Sequence, residues 1–445
     1  MASSGYIEDR WLTKRPDPKT GQRRRTGLWG TKTKRYRVAG IPGVRSRSFE
    51  SAADAKAWLK QASTDVARGD FYDPRSGQIT LRTYVEHTWW PTLRMPPTTK
   101  EAMRSRIFNH ILPHMGSKPL ASIGADEIKW WVSRVEQDID AGTVRVIWRH
   151  FSKIMQAAAT ARRIPINPFR DEEIRKLAPK APKSTAVAWP CARVVAVRAA
   201  LSPRYRILVD EGVGAGLRQG EAFGLSPADV DGEVIHVRRQ VVKVGGKLAF
   251  APPKGNKTRD APCPPELAAA IAAHGAEFPA VEVTLPWVDP DRPNLPWEER
   301  PLVTVLLIVT TARGAAVNRT TFDGKHWKPA LVRAGVIPEP EKSVVERPGQ
   351  PPLVRVAWKM PRQWGFHGLR HTFASVVLAA GETIAKLAQW LGHHDPAFTL
   401  RTYIHFLPDA GSRGIAALGA WLSPQTSADA ETPSELPQPA IEGSA

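Results

Sequence analysis

From Ile79 to Phe169 the apolar residues return every three or four positions: Leu81, Tyr84, Val85 and Trp89; Ile107, Ile111 and Leu112; Ile128, Trp131, Val132 and Val135; Val144, Ile147, Trp148, Phe151, Ile154 and Met155. That spacing places each set on one face of a helix. Pro91, Pro96-Pro97, Pro113, Gly116–Pro119 and Gly142 cut the run into four or five pieces. Amphipathic helices must bury their stripes on one another, so residues 78–168 are predicted to form a helical domain with its own core. The chain has 445 residues, more than that domain can use, and its length suggests about three domains.

Charge is spread unevenly around this block. The 63 Lys and Arg outnumber the 43 Asp and Glu, a formal charge of +20. A surface of that sign attracts polyanions, of which nucleic acid is the usual one. Between Arg10 and Arg47 stand thirteen basic residues and one acid, Asp17. Arg23, Arg24, Arg25, Lys32, Lys34, Arg35 and Arg37 are the densest part, interleaved with Trp11, Trp29, Tyr36 and Phe49. Arg35–Phe49 reads as short strands broken by Gly40 and Pro42-Gly43. Ser51–Ala67 reads as a helix, capped by Ser51, with Ala55, Trp58, Leu59, Ala62 and Val66 on one face. Residues 1–72 are thus predicted to be a small sheet-plus-helix module with a basic face.

Asn167–Pro190, rich in Pro, Lys and Ala, reads as an extended linker. Residues 188–422 form the large remaining domain. In it Val234–Val244 and Lys247–Ala251 are predicted to pair around Gly245-Gly246. Pro279–Pro301 and Ile337–Pro352 are Pro-rich and predicted to loop. Residues 423–445 hold no Lys or Arg and read as a disordered tail. Cys191 and Cys263 stand alone, which predicts neither a disulfide framework nor a zinc site. No signal-peptide pattern opens the chain, and Pro301–Thr311 is too short to span a bilayer. A cytoplasmic protein is expected.

Four segments carry chemistry: Gly214–Leu225, with Arg218 and Glu221 near a helix start; Ala251–Pro264, a basic turn after a strand; Phe366–Ser375; and Trp390–His405. His367, Arg370 and His371 lie at i, i+3 and i+4, one face of a helix. A second helix, Glu382–Gly392, ends by presenting His393, and Thr399–Phe406 brings Tyr403 near. An Arg, two His and a Tyr so gathered suit a phosphodiester better than a carbonyl.

These segments resemble the tyrosine recombinases, or phage integrases. The family pattern is an Arg in Gly-Leu-Arg-x-x-Glu, a Lys in a β-turn, His-x-x-Arg, Leu-Gly-His, and a Tyr nine or ten residues on. Arg218, Lys254, His367, Arg370, His393 and Tyr403 match it in order. The resemblance covers roughly Ala188–Leu422. It implies a multidomain, mainly α fold with small β-sheets (α+β): an arm-site DNA-binding module, a helical core-binding (SAM-like) domain and a mixed α/β catalytic domain. It also implies strand cleavage and rejoining through a 3′-phosphotyrosine, with no cofactor and no metal. Partners would be double-stranded DNA at core and arm sites, three further copies in a synaptic tetramer, and accessory DNA-bending or directionality factors, in the bacterial nucleoid.

Physical roles follow for the matched residues. Arg218 and Arg370 neutralise the phosphate as charge gathers on it. Tyr403 is the nucleophile, and its phenol, with an ordinary pKa of ~10, needs help to ionise. His367 accepts a proton or donates to phosphate, His393 donates to phosphate, and Lys254 protonates the leaving 5′-oxygen. Glu221 orients Arg218. Lys257 is the alternative lysine, and Lys257 and Arg259 are also placed on the DNA backbone. His371 falls outside the pattern and reads as a satisfied core histidine. Three other functions remain open: an inactive recombinase-like DNA binder, a type IB topoisomerase, and a metal-dependent nuclease using His367, His371, His393, His394 and His405.

Overall fold

The computed structural model describes residues 5–68, 75–180, 186–347, 350–393 and 395–404. His394, His405, residues 406–422 and the tail 423–445 lie outside them. The chain divides into two compact units, residues 1–184 with 290–296, and residues 185–289 with 297–445. Pro290–Pro296 thus belongs to the first unit, although the sequence reading put it within 188–422.

The first unit holds two separate cores. In the first, strands β1 (Tyr6–Asp9), β2 (Tyr36–Ala39) and β3 (Arg47–Phe49) form an antiparallel sheet in that order. Helix α1 (Ala52–Arg68) covers it. Val38, Ile41, Ala55 and Ala62 are buried there, with Trp58, Leu59 and Val66 packed against them. Ser51 caps the helix, its hydroxyl accepting from the Ala53 N–H at 3.1 Å. The β1 strand had no sequence signal, since only Tyr6 and Ile7 are apolar in it.

The second core joins α2 (Pro97–His110), α3 (Ala125–Val135) and α4 (Ala141–Thr160) to shorter helical turns. Trp131 sits at its centre, edge-on to Phe151 at 5.1 Å, with its indole N–H on the His110 carbonyl at 2.8 Å. Truncating such a side chain typically costs about 3–5 kcal/mol. Two expectations change here. Gly142 does not break a helix but lies in the first turn of α4, which Asp140 caps by accepting from the Thr143 N–H. Asn167–Pro190 is not extended throughout: Phe169 and Ile174 are buried in this core. The prolines there punctuate short helical turns, and two apolar side chains suffice to dock them.

The second unit packs α5 (Pro203–Gly214) and α6 (Gln219–Ala222) beside a set of small sheets. Strands β4 (Val230–Asp231), β5 (Val234–Val237) and β8 (Arg259–Pro262) form one sheet, in the order β4-β5-β8. The hairpin β6 (Gln240–Val244) and β7 (Lys247–Ala251) forms another. Gly245 and Gly246 both take positive φ in its two-residue turn, as a type I′ turn requires. The predicted Val234–Val244 strand is broken at Arg238-Arg239, whose guanidiniums grip the buried Asp229. The Pro-rich segments loop only in part: residues 288–301 are irregular apart from a short 3-10 turn at Trp297–Glu299, but strands occupy much of the rest. β9 (Val281–Pro286) pairs with β10 (Leu302–Leu307), and β11 (Glu341–Arg347) with β12 (Gln350–Ala357). Alternating Val281, Val283 and Leu285 form β9 despite the nearby prolines; Pro286 ends that strand, and Pro290, Pro293 and Pro296 fall in the loop before β10.

Three helices end the described chain: α7 (His367–Ala379), α8 (Ile384–Leu391) and α9 (Pro396–Tyr403). α7 stops where Gly381 takes φ +94°. Thr383 caps α8, accepting from the Lys386 N–H. Leu387, Ala388 and Leu391 are buried on its inner face. No described helix is long and apolar enough to cross a membrane.

Candidate active site

The turn before α6 is shaped by Gly216. Its φ is +63°, and a Cβ there would stand 2.5 Å from the Phe373 ring. The chain can therefore run close against α7. Arg218 follows as the residue preceding α6. Its backbone N–H donates to one Glu221 oxygen and its Nη1 to the other, each at 2.9 Å.

Arg370 comes from the first turn of α7 and is 1% exposed. Its Nη1 donates to the Gly216 carbonyl at 2.7 Å and its Nη2 to the Leu391 carbonyl. Arg218 Nη2 reaches the same Leu391 oxygen at 3.3 Å. Leu391 ends α8, and the last carbonyls of a helix lack internal donors and carry partial negative charge. One helix end thus gathers two guanidiniums from positions 152 residues apart (370 − 218).

Arg259, at the start of β8, completes the cluster. Its Nη1 and Nη2 fork onto the Glu221 carboxylate at 2.9 and 2.6 Å, and its Nε donates to the Trp390 carbonyl at 2.7 Å. Burial alone would raise the Glu221 carboxyl. Arg259 first, then Arg218 and Arg370, overcome it and hold the group at about 2. Three guanidiniums face one carboxylate. Burial, with Arg218 and Arg259 close by, pushes the Arg370 guanidinium down, and its Nε has no acceptor among the described residues. A buried donor without a partner costs ~1–3 kcal/mol. The pocket is therefore built to receive an anion.

Tyr403 closes the site from α9, 1% exposed. Its hydroxyl is 2.8 Å from His371 Nδ1. Burial lifts the phenol to about 12 against the pull of Arg370 and Arg218. His367 meets His371 edge-on, ring centres 4.6 Å apart. Burial, then His371 and Arg370, lowers His367 to about 3, though the residue still meets solvent at the edge of the site. His393 is lowered to about 3 by burial and then Arg370 and Arg218. Its Nδ1 lies 2.7 Å from the hydroxyl of the fully buried Thr399, and its Nε2 lies 3.4 Å from Arg370 Nη2. These histidines share their space with guanidiniums, an arrangement that disfavours the divalent cation a metal nuclease would hold there.

The structure brings Arg218, Glu221, Arg370, His393 and Tyr403 together, with His367 at the edge. Lys254 and Lys257 stay outside, exposed on the turn between β7 and β8, and neither ammonium pairs with another described residue. Arg259 differs from the expected backbone contact, because all three of its nitrogens are engaged within the cluster. His371, read as a satisfied core histidine, is half-buried and finds its partner in the Tyr403 hydroxyl. Thr399 carried no sequence signal. Of the N-terminal basic residues, Arg23, Arg24, Arg25, Lys32, Lys34 and Arg37 are exposed. Arg24 pairs with Asp17, and Arg25 lies over Trp29 at 4.1 Å. Arg35 departs from them: it is half-buried, and its Nε and Nη2 clasp Asp9 at 2.9–3.2 Å.

The fold is similar to that of solved integrases. The Tn1549 transposon integrase, solved with a circular-intermediate DNA, matches 76% of this chain and 99% of its own, with a TM-score of 0.59 and 17% identity. Lambda integrase matches 92% of this chain at 13% identity and a TM-score of 0.51, both as a dimer on a COC′ core site and as a tetramer on a Holliday junction. No family model matches. A Mycobacterium tuberculosis protein assigned as the prophage phiRv2 integrase is 26% identical over 395 residues, spanning 84% of this chain and 88% of the relative. With the signature residues gathered in one pocket, the chain resembles the tyrosine recombinases, or phage integrases, in sequence and fold.

Proposed function

We propose that the protein is a site-specific DNA recombinase that integrates or excises a phage or mobile element through a 3′-phosphotyrosine formed on Tyr403. The observation that carries this reading is the pair of guanidiniums held on the Leu391 carbonyl, with the Tyr403 phenol within their electrostatic reach. A phosphate entering the cluster would accept from Arg370 Nε and from the unspent N–H groups of Arg218, and would meet the uncompensated positive charge. His393 donates to the phosphate from Nε2 when the Thr399 hydroxyl donates to Nδ1. His367, at the open edge, faces the phosphate. Lys254, or Lys257, protonates the 5′-oxygen once the β7–β8 turn closes on DNA.

The other regions fit the same reading. The exposed basic residues of the first module, Arg23, Arg24, Arg25, Lys32, Lys34 and Arg37, suit arm-site phosphates, and α2–α4 suit a core-binding role. Phosphate contacts of this kind weaken steeply with salt. Four copies acting on two duplexes, as lambda integrase does on its junction, complete the proposal. A library of nicked duplexes with randomised cores tests it. Wild type should form a detergent-resistant protein–DNA adduct, insensitive to EDTA, that is absent from Tyr403→Phe. An adduct in Tyr403→Phe, or cleavage abolished by EDTA, refutes the phosphotyrosine reading.

A further inference from the structure

Two histidines compete for the proton of the nucleophile, and the signature pattern favours His367. The geometry points instead to His371 as the group that takes the Tyr403 proton during cleavage and returns it on rejoining. This rests on the phosphotyrosine reading above and assigns the proton that the reading leaves unplaced.

The argument begins with the helix. His367 and His371 lie one turn apart on α7, so both project towards the same wall. His371 stands deeper, half-buried, while His367 lies at the exposed edge. Tyr403 comes from α9, its ring 5.6 Å from the His371 ring and its hydroxyl 2.8 Å from Nδ1. That is hydrogen-bonding distance for a phenol donating to an unprotonated ring nitrogen. The His367 ring makes no hydrogen bond among the described residues. The charged and titratable groups that face His371 among those residues are Arg370 and His367 from its own helix, His393 from the turn after α8 and Tyr403 from α9. Burial, then Arg370, lowers its imidazole to about 4. It is therefore neutral near pH 7 and has a lone pair to offer.

The step balances without a further reactant. The Tyr403 O–H bond breaks and its proton moves to His371 Nδ1. The phenolate oxygen bonds to phosphorus, the bond from phosphorus to the 5′-oxygen breaks, and that oxygen is protonated by the lysine of the β7–β8 turn. In rejoining, the 5′-hydroxyl returns its proton to that lysine and its oxygen bonds to phosphorus, the bond from phosphorus to Tyr403 breaks, and the imidazolium returns its proton to the phenolate. The imidazolium exists only while phosphate charge is present to offset it, and this limits proton transfer to the occupied site.

The test uses the full chain and the nicked-duplex library. His371→Asn keeps an oxygen acceptor at the position of Nδ1 but cannot carry the proton. Adduct formation should fall about 100-fold or more at neutral pH, with DNA retention and thermal unfolding unchanged. Its rate should then climb with pH in proportion to hydroxide, which a merely structural role would not produce. A duplex with sulfur in place of the bridging 5′-oxygen, whose leaving group needs no acid, should not restore His371→Asn. If His371→Asn cleaves within about three-fold of wild type, or if the sulfur substrate restores it, the assignment to His371 is overturned. Nitrogen-15 histidine spectra of the unliganded wild type check the same point without a variant. Nδ1 of His371 should be unprotonated between about pH 6 and 8, and a protonated Nδ1 there overturns the assignment. Failure of the phosphotyrosine reading itself shows separately, as an adduct that survives in Tyr403→Phe.

Discussion

Glu221→Gln removes the single negative charge from between Arg218 and Arg259 while keeping the shape of the side chain. Glu221 is 1% exposed, so water does not screen the change. Its carboxyl sits at about 2 instead of the ordinary 4.5. At about 1.4 kcal/mol per decade, the ionised form contributes about 3 kcal/mol to folding at neutral pH. A depressed carboxyl stabilises the fold fully above its unfolded value and loses that contribution as the pH falls towards the folded one. Urea unfolding of wild type and Glu221→Gln in parallel, from about pH 3 to 8, reads the difference directly and cancels the titration of other acids. The difference should be about 3 kcal/mol above pH 5, then shrink by about 1.4 kcal/mol per pH unit below 4.5. Sulfate should recover part of the loss by occupying the enlarged cationic site. A difference under about 1 kcal/mol at pH 7, or one that stays constant between about pH 6 and 3, refutes the claim that this carboxylate holds the cluster.

Glu211 on α5 predicts the opposite trend, because both its carboxyl oxygens are buried without partners among the described residues, and burial, then Asp210, raises its carboxyl well above 4.5. Its protonated form is the stable one, so stability should fall as pH rises past 4.5, and Glu211→Gln should be relatively more stable at pH 8 than at pH 5 by the same urea titration. Gly392→Ala places a Cβ 2.7 Å from Arg259 Cδ at a residue with φ +60°; it should cost about 1–2 kcal/mol in denaturation and depress adduct formation by displacing Arg259. Thr399→Val leaves His393 Nδ1 without its partner, and about 1–3 kcal/mol of lost positioning should lower cleavage by about ten-fold or more, with Thr399→Ser restoring most of it.

The parts of the site that were legible in the sequence are those that act from signature turns. Gly216-Leu217-Arg218, His367 with Arg370, Leu391-Gly392-His393 and Tyr403 each show in a handful of adjacent residues. Arg259 and Thr399 were not legible, because their meaning lies in partners. Arg259 matters through a carboxylate 38 residues earlier, and Thr399 through a ring six residues before it. His371 did leave a trace, since its i+4 spacing from His367 put it on the catalytic face, but only the position of α9 shows that Tyr403 is what it meets. The fold divided similarly. Helical stripes and the Gly245-Gly246 turn were readable from local spacing. The β9–β10 and β11–β12 pairings were obscured by prolines, whose effect depends on whether they face a free edge.

The oxygen that joins Arg218 and Arg370 belongs to the backbone, and no substitution can delete it. The cluster's integrity is therefore delegated to the seating of α8, whose Leu387, Ala388 and Leu391 anchor it from the apolar side. Changes at those three positions, none of them ionisable, should behave as lesions of the reaction centre. A slide of one short helix by a fraction of a turn would part the two cations and should abolish adduct formation with every signature residue still in place.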